Sequence, residues 1–320
     1  MAKDDSARDQ LTKRELVQMT LSESSNPLTG PAKLPADLGP EERARRRFAV
    51  EGNAIVTGGS GGIGLVVIRA LLEHGASGIA IFDVPGSLAT SQEAINALRT
   101  DFPNARIITV EVDVRDEARV ESAVQEAVTG LGSVNMLLCL AGVVQVGHAH
   151  EMAASEWRRV LDVNTTGSWF CAQAAAKYAL RLSFKLFETD RSSRQMIAQN
   201  TGGSIVFTAS ISAHHANFPQ PQVAYNTSKG AILQLTRSLA AEWARFGIRV
   251  NSISPGYMDT ILNHGEGLEA CRRIWTSRNP MGRMGDPEEL AGAVVLLCSP
   301  IAGKYINGAD FVIDGGGSVF

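Results

Sequence analysis

The chain has 320 residues, of which 44% are hydrophobic and 20% charged, and its formal net charge at pH 7 is −3. A chain of this length buries one substantial core, and we expect a single domain of about 270 residues. The small negative charge excludes a general attraction to nucleic acid, and no uninterrupted apolar stretch reaches the roughly 18 residues that a membrane span needs, so no membrane partner is expected.

Residues 1–47 differ in composition from the rest of the chain. They are polar, they contain four prolines, and they end in the charged run 41–47. Such a composition is typical of a mobile segment without a core of its own, and we interpret the charged run as solvated surface. We therefore expect a mobile N-terminal arm at 1–47 and a folded domain at 48–320.

The folded domain opens with a strand, a glycine-rich turn and a helix. Residues 54–56 predict a short buried strand, the run Thr-Gly-Gly-Ser-Gly-Gly-Ile-Gly follows at 57–64, and the apolar stretch 65–72 continues as a helix. Glycines let the backbone approach a pyrophosphate, and a helix N-terminus supplies unpaired N–H groups and a partial positive charge. The segment therefore predicts a dinucleotide-binding turn.

The next two predicted strands each end at an acidic residue. The first ends at Asp83, close to the spacing of about 20 residues at which a carboxylate accepts hydrogen bonds from an adenosine ribose. The second ends at Asp113, where a carboxylate is placed to meet the adenine amine. Asp83 would also repel a 2′-phosphate, and no arginine or lysine lies at 59–61 or 84–86 to bind one. We therefore predict NAD as the cofactor, in preference to NADP.

Strands and helices alternate along the domain. The hydrophobic pattern predicts further strands at 78–82, 106–112 and 134–138 and helices at 91–99 and 117–128. Such alternation predicts parallel strands joined by crossover helices, hence an α/β protein with a single doubly wound sheet of about seven strands and helices on both faces. A further helix is expected from Ala153, with Ser155 as its cap. We interpret 182–200 as a charged surface insertion.

The strongest chemical signal is a tyrosine and a lysine four residues apart, Tyr225 and Lys229. Residues at this spacing share one face of a helix, and Ser210, after the predicted strand 205–207, approaches from another element. The pKa of an unperturbed tyrosine is about 10, too high for a base at neutral pH, and a fixed neighbouring cation lowers it. We therefore predict an acid/base cluster in which Lys229 lowers the pKa of Tyr225.

Cysteine usage argues against two other kinds of site. Cys139, Cys171, Cys271 and Cys298 are widely scattered and lack C-x-x-C spacing, which argues against a zinc site and against a disulfide framework. We expect free buried thiols and no bound metal. Because no n-region followed by an h-region marks a secretory signal, we expect a cytoplasmic location.

Five motifs occur in order between residues 48 and 320. They are the glycine signature T-G-x-x-x-G-x-G at 57–64, Asn164 before Gly167, the Y-x-x-x-K motif at Tyr225 and Lys229, Pro255-Gly256, and the chain end 305–316. Together they resemble the short-chain dehydrogenase/reductase family. The resemblance implies a Rossmann-type catalytic domain at 48–320 that transfers a hydride between a nicotinamide cofactor and a secondary alcohol or ketone. It also implies a homotetramer or homodimer and a substrate lid near 257–283.

The resemblance assigns roles to individual residues. Catalysis falls to Asn164, Ser210, Tyr225 and Lys229. Cofactor binding falls to Gly58, Ser60, Gly62, Ile63, Gly64, Asp83, Asp113, Val114, Ala141, Gly142, Tyr225, Lys229, Pro255, Gly256, Met258 and Thr260. In this scheme Ser210 hydrogen-bonds the substrate oxygen, Tyr225 removes the hydroxyl proton, and Asn164 orders a water that passes the proton to solvent.

Two features depart from the family pattern. The family's Asn-Asn-Ala-Gly after the fourth strand is replaced by Cys-Leu-Ala-Gly at 139–142, so an amide that braces the central sheet is absent. Ser210 lies 15 positions before Tyr225, whereas Ser212 lies 13 before it, the commoner separation. We favour Ser210, because the strand before it aligns with the family's and 219–222 is interpreted as a two-residue insertion. Ser212 is the alternative.

Three segments near the predicted site are similar to a branch of the family that acts on polyols and ketoses. They are 219–222, 240–244 and 254–257, and the branch includes D-arabinitol 2-dehydrogenases and L-xylulose or sorbose reductases. The resemblance implies a substrate pair such as D-arabinitol and D-ribulose. Two alternatives are a reductase of another carbonyl, such as a 3-oxoacyl thioester or a secondary-metabolite ketone, and a non-catalytic dinucleotide-binding protein.

Overall fold

The structure is a computed structural model that describes residues 16–180, 201–263 and 265–320. The strands in these residues are β1 Asn53–Thr57, β2 Gly78–Asp83, β3 Arg106–Glu111, β4 Met136–Cys139, β5 Gly203–Thr208, β6 Ile248–Pro255 and β7 Asp310–Ile313. The α-helices are α1 Pro40–Arg47, α2 Gly62–Glu73, α3 Pro85–Thr90, α4 Gln92–Asp101, α5 Glu117–Leu131, α6 Ala154–Leu161, α7 Ser168–Leu180, α8 Val223–Trp243, α9 Glu269–Ser277 and α10 Ala291–Cys298.

All of these strands belong to one parallel sheet with the order β3-β2-β1-β4-β5-β6-β7. The order reverses between β1 and β4. In such sheets, ligands bind in the crevice outside the carboxyl ends of the strands at this switch point. The predicted class, a doubly wound Rossmann-type sheet of about seven strands, is confirmed.

Helices cover both faces of the sheet and bury its central strands. Every residue of β1, β4 and β6 is buried, as expected for parallel strands between two helix layers. Helices α5, α7 and α8 pack on one face, and α2, α4 and α10 pack on the other. The core therefore lies on both sides of the sheet, and the site must be built at the strand ends.

The observed helix boundaries follow the sequence pattern, with one corrected cap. Helices α4 and α5 cover the predicted helical stretches. The predicted cap Ser155 is wrong, because α6 starts after Ala153, whose N–H donates to Glu156 Oε2 at 3.1 Å. A carboxylate three residues into the helix satisfies this first donor. The sequence pattern also missed α3 and the π-helical segment Asp162–Gly167 between α6 and α7.

The described part of the N-terminal arm, residues 16–47, contacts the folded domain. Asn26 Nδ2 donates to Arg245 O at 2.7 Å, and Lys304 Nζ donates to Leu28 O at 2.7 Å. These bonds seat the segment near the amino ends of the strands, away from the switch-point crevice. The mobility expected for the arm stays a prediction.

Two further expectations concern the insertion at 182–200 and the absence of a membrane span. The predicted insertion at 182–200 lies outside the described residues. Within the described residues, none of the helices has both the length and the apolar character needed to cross a bilayer.

Candidate active site

The glycine-rich turn joins β1 to α2 at the carboxyl end of the sheet. Gly58 has φ +65°, and a Cβ atom there would lie 2.7 Å from Ala141 N. A Cβ at Gly64 would lie 2.5 Å from Gly58 O. Only glycine fits these two positions without displacing the backbone. At Gly62, by contrast, no atom lies within 4 Å of where a Cβ would stand, so the start of α2 faces open space.

The first turn of α2 is built to accept an anion. Its N-cap is Gly61, and no side chain caps its N–H groups. Unpaired N–H groups and the helix dipole together bind phosphate. The open side at Gly62 gives the approach that a pyrophosphate needs, so Gly62 and Ile63 fit the role that the sequence assigns them.

Asp83 ends β2 directly beside the glycine-rich turn. Its Oδ2 accepts from Ser60 N at 3.2 Å and from Ser60 Oγ at 2.6 Å, and its Oδ1 accepts from Val84 N at 2.9 Å. Oδ1, which accepts only one hydrogen bond, retains capacity for a further donor. The carboxylate is therefore fixed at the end of the crevice, where an adenosine ribose would lie in a bound dinucleotide.

Asp113 is held by a neighbour that sequence reasoning missed. Arg115 Nη2 lies 2.6 Å from Asp113 Oδ2, and the guanidinium hydrogen bonds keep the pKa of Asp113 below its ordinary value. The neighbouring Val114 packs its Cγ2 against Gly167, where a Cβ would lie 2.6 Å from it. The arginine engages the carboxylate, so the adenine contact predicted for Asp113 stays a prediction.

Ser210 and Tyr225 meet at the end of β5. Ser210 follows the strand by two residues and lies close enough to Tyr225 for its hydroxyl to oppose a rise in the pKa of the phenol. Ser210 Oγ also donates to Ser212 Oγ at 3.0 Å and accepts from Ser212 N at 3.1 Å. Of the two serines considered, Ser210 is the one that acts on the pKa of Tyr225, and its choice over Ser212 as the catalytic serine stays a prediction.

Lys229 lies one helical turn beyond Tyr225 on α8, with its ammonium Nζ 5.6 Å from the Tyr225 ring centroid. Its side chain is only 4% exposed, and Nζ donates to Thr208 O of β5 at 2.7 Å. Burial lowers the pKa of Lys229 to about 8. The helix therefore brings the two residues together as predicted from their spacing.

The effect of Lys229 on Tyr225 differs from the prediction. Burial raises the pKa of Tyr225, and the Ser210 hydroxyl opposes that rise. Lys229 does not lower it, because the ammonium is directed to the Thr208 carbonyl and lies over the ring rather than against the hydroxyl. Desolvation of the buried phenol therefore sets the direction of its pKa shift.

Asn164 lies in the π-helical segment and braces the loop after β4. Its Oδ1 accepts from Val143 N at 2.8 Å, and its Nδ2 donates to Val143 O at 2.9 Å and to Ser228 Oγ at 2.9 Å. A Cβ at Gly142 would lie 3.3 Å from Asn164 Oδ1 and 3.6 Å from Lys229 Nζ. Asn164 and Lys229 therefore lie side by side beneath Gly142.

The loop 139–142 is braced although its family asparagine is replaced. Thr57 O accepts from Leu140 N at 3.1 Å, and Thr57 Oγ1 accepts from Ala141 N at 3.3 Å. Asn164 also bonds both Val143, which follows the loop, and Ser228 of α8. Together these contacts connect β1, the loop and α8. The replacement of the family's asparagine put this bracing in doubt, but β1 and α8 supply it.

The segment from Pro255 to Thr260 leaves the end of β6 and starts the region 257–283, whose role as a substrate lid stays a prediction. A Cβ at Gly256 would lie 2.8 Å from Asp314 Cα, so the two backbones are in close contact. Met258 is buried, and its carbonyl accepts from Thr260 N at 2.9 Å. A cavity of about 370 Å³ opens between this segment and the chain end, lined in part by residues 256–258 and 312–316.

These features lie in one crevice at the carboxyl ends of the strands. A glycine-rich turn at the start of α2, a carboxylate at the end of β2 and a Ser-Tyr-Lys cluster in such a crevice are typical of a nicotinamide-dependent oxidoreductase of the doubly wound α/β class. The chain belongs to the short-chain dehydrogenase/reductase family. The family model described as enoyl-(acyl carrier protein) reductase matches residues 58–318.

The chain is similar to several polyol dehydrogenases. It is 38% identical over 280 residues to a galactitol 2-dehydrogenase of Rhizobium johnstonii, covering 85% of this chain and 97% of that one. It is 34% identical to a ribulose-forming D-arabinitol 2-dehydrogenase of Candida tropicalis (84% and 93% covered) and 35% identical to an NADP-dependent mannitol dehydrogenase of Hypocrea jecorina (84% and 93% covered). A crystal structure of a short-chain type dehydrogenase/reductase from Mycobacterium marinum matches with a TM-score of 0.74 at 35% identity, covering 85% of this chain and 97% of that one.

Sequence reasoning missed Asn217, which lies in the loop between Ser210 and Tyr225. Its Nδ2 donates to the Tyr257 hydroxyl at 2.9 Å. The only signal available in the sequence was an amide within a loop that joins two predicted catalytic residues. Which residue it would contact depends on how that loop meets the region 257–283, and local patterns do not determine such contacts.

Proposed function

We propose that the protein oxidises a secondary hydroxyl of a polyol to the corresponding ketose and catalyses the reverse reduction, with D-arabinitol and D-ribulose as the leading pair. The observation that carries the proposal is the placement of Lys229 beside Tyr225 at the carboxyl ends of the strands, with Nζ 5.6 Å from the Tyr225 ring centroid and bonded to Thr208 O of β5. The named polyol dehydrogenases to which the chain is similar support this substrate class.

The residues divide the work of the reaction. The Ser210 hydroxyl turns from Ser212 Oγ to donate its one hydrogen to the substrate oxygen, and Tyr225 takes the hydroxyl proton during oxidation or returns it during reduction. Lys229 and Asn164, side by side beneath Gly142, hold the cofactor side of the crevice and lead the proton toward solvent. The bound nicotinamide supplies the hydride acceptor or donor, and the protein supplies orientation and electrostatics.

A substrate screen tests the proposal. The full-length protein is assayed by the absorbance of reduced nicotinamide with NAD and galactitol, D-arabinitol, D-mannitol or xylitol, and in reverse with ketoses, apolar ketones and a 3-oxoacyl thioester. Turnover of a polyol is the expected result. Activity restricted to the ketones or thioester would favour a reductase of another carbonyl. Cofactor binding without any turnover would favour a non-catalytic dinucleotide-binding protein.

We further propose that the cofactor is NAD rather than NADP. Bonds from Ser60 fix the Asp83 carboxylate at the end of β2, and we propose that it binds the adenosine ribose. A fixed negative charge there repels a 2′-phosphate, and residues 59–61 and 84–86 contain no arginine or lysine to counter it. A mannitol dehydrogenase to which the chain is similar depends on NADP. The preference of this protein for NAD over NADP therefore needs a direct measurement.

Asp83→Asn is expected to shift cofactor use toward NADP by roughly tenfold or more in the ratio of kcat/KM values, since it removes one full charge. The asparagine keeps an oxygen that accepts from Ser60, so the turn is preserved. Steady-state kinetics with both cofactors measure the ratio. Asp101→Asn, which removes a surface carboxylate paired with Arg69, is the matched control and should leave the ratio unchanged. An unchanged ratio in Asp83→Asn would contradict the proposal.

Location and assembly complete the proposal. Cys139, Cys171 and Cys298 are buried free thiols, which fits a reducing compartment, and we propose a cytoplasmic protein.

We also propose a homotetramer or homodimer. Val312 of the edge strand β7 and Phe320 near it are exposed, which fits contact with a second copy.

A further inference from the structure

Tyr257 lies beside the catalytic cluster, although it belongs to no catalytic motif. It follows β6, which pairs in register with β5, so that Ile253 lies opposite Thr208. The ends of these two strands therefore place Tyr257 and Ser210 in the same crevice. The phenol of Tyr257 also contributes to raising the pKa of Tyr225, which requires the two side chains to be near each other.

Two contacts fix the Tyr257 side chain. Its ring stacks on Trp275 of α9, with a centroid separation of 4.2 Å and an interplanar angle of 10°. Asn217 Nδ2 donates to its hydroxyl oxygen at 2.9 Å. Because the amide donates, the phenol uses a lone pair in that bond, and its own O–H is left to donate elsewhere. Burial raises the pKa of Tyr257, so this donor is retained at neutral pH.

Asn217 and Trp275 contribute unsatisfied polar atoms at the same place. Asn217 Oδ1 and Trp275 Nε1 are buried, and neither has a hydrogen-bond partner within the described residues. Buried polar atoms are normally paired, so each such exception suggests a bound group. An acceptor on Asn217 next to a donor on Tyr257 matches a hydroxyl group, which both donates and accepts.

We propose that Tyr257 and Asn217 bind a second hydroxyl of the substrate, adjacent to the reacting carbon, and so select polyols over alcohols with a single hydroxyl. Tyr257 donates to the oxygen of that hydroxyl, and Asn217 Oδ1 accepts its hydrogen. Both are specificity residues and neither transfers the reacting proton. This inference rests on the proposed function, because only a polyhydroxylated substrate offers the second hydroxyl.

Tyr257→Phe tests the inference while keeping the ring and its stack on Trp275. The expected result is a rise in KM for galactitol or D-arabinitol of roughly tenfold, the value of one hydrogen bond, with kcat changed by less than about twofold and KM for NAD unchanged. The preference for a vicinal diol over the corresponding mono-alcohol should fall by the same factor. Tyr305→Phe, which changes a fully exposed tyrosine, is the matched control.

The outcomes separate this inference from the proposed function. A wild-type protein that turns over no polyol overturns both. A wild-type protein that oxidises polyols, with an unchanged polyol KM in Tyr257→Phe, overturns this inference alone. If thermal unfolding shows that Tyr257→Phe does not fold, Asn217→Leu decides by the same criterion, because it removes both the acceptor and the amide that orients Tyr257.

Discussion

Replacing Tyr225 by phenylalanine is expected to remove nearly all turnover while NAD binds with wild-type affinity. A positioned acid/base group contributes about 100-fold to 10,000-fold to the rate, and phenylalanine removes only the hydroxyl that performs this role. The dinucleotide cradle at the start of α2 is built from other residues, so binding should survive. Initial rates with a polyol and calorimetric titration with NAD measure the two quantities.

The same assignment predicts the sign of the pH dependence. Oxidation needs the phenolate of Tyr225, so its rate rises with pH, and reduction needs the phenol, so its rate falls over the same range. Because burial holds the pKa of Tyr225 above its ordinary value, the optimum for oxidation is expected on the alkaline side. Tyr305→Phe should keep both profiles. A substantial residual rate in Tyr225→Phe would place the base elsewhere.

The features that the sequence predicted correctly are encoded locally. The glycine turn requires a positive φ at Gly58 and close backbone contact at Gly64, and both requirements are met by glycine, which the sequence shows directly. The alternation of apolar runs with helical periods predicts the parallel sheet, and the spacing of Tyr225 and Lys229 predicts a shared helix face. Each inference needed only neighbouring residues.

The features that the sequence did not predict depend on contacts between distant segments. The bonds of the Asn164 amide to Val143 and Ser228 were not predicted, because only the assembled fold brings these residues to it. Its expected role in ordering a water stays a prediction. Helix periodicity placed Lys229 near Tyr225, but it did not show that the Thr208 carbonyl of β5 would take the ammonium. The direction of a pKa shift is decided by such partners and by burial, neither of which a spacing reveals.

Replacing Lys229 by methionine is expected to stabilise the fold at neutral pH while it lowers activity. Burial depresses the pKa of this lysine from 10.5 to about 8, which corresponds to about 3 kcal/mol against the charged folded state at pH 7. The lost hydrogen bond to Thr208 O offsets about 1 kcal/mol of this gain. Methionine fills a similar volume without a charge, so a net rise of about 2 kcal/mol in unfolding free energy is expected.

The pH dependence of that gain distinguishes burial from an ion pair. Between about pH 8 and 10.5 the unfolded chain keeps a proton that the folded Lys229 has released, so the stability of the wild-type protein rises with pH through this window. The advantage of Lys229→Met should therefore be largest at pH 7 and disappear near pH 10.5, as measured by urea unfolding at both values. Lys33→Met, at an exposed position, should leave the unfolding free energy unchanged at both pH values. A variant less stable than the wild-type protein at pH 7 would mean that the charged lysine stabilises the fold through a partner, and desolvation would no longer explain its lowered pKa.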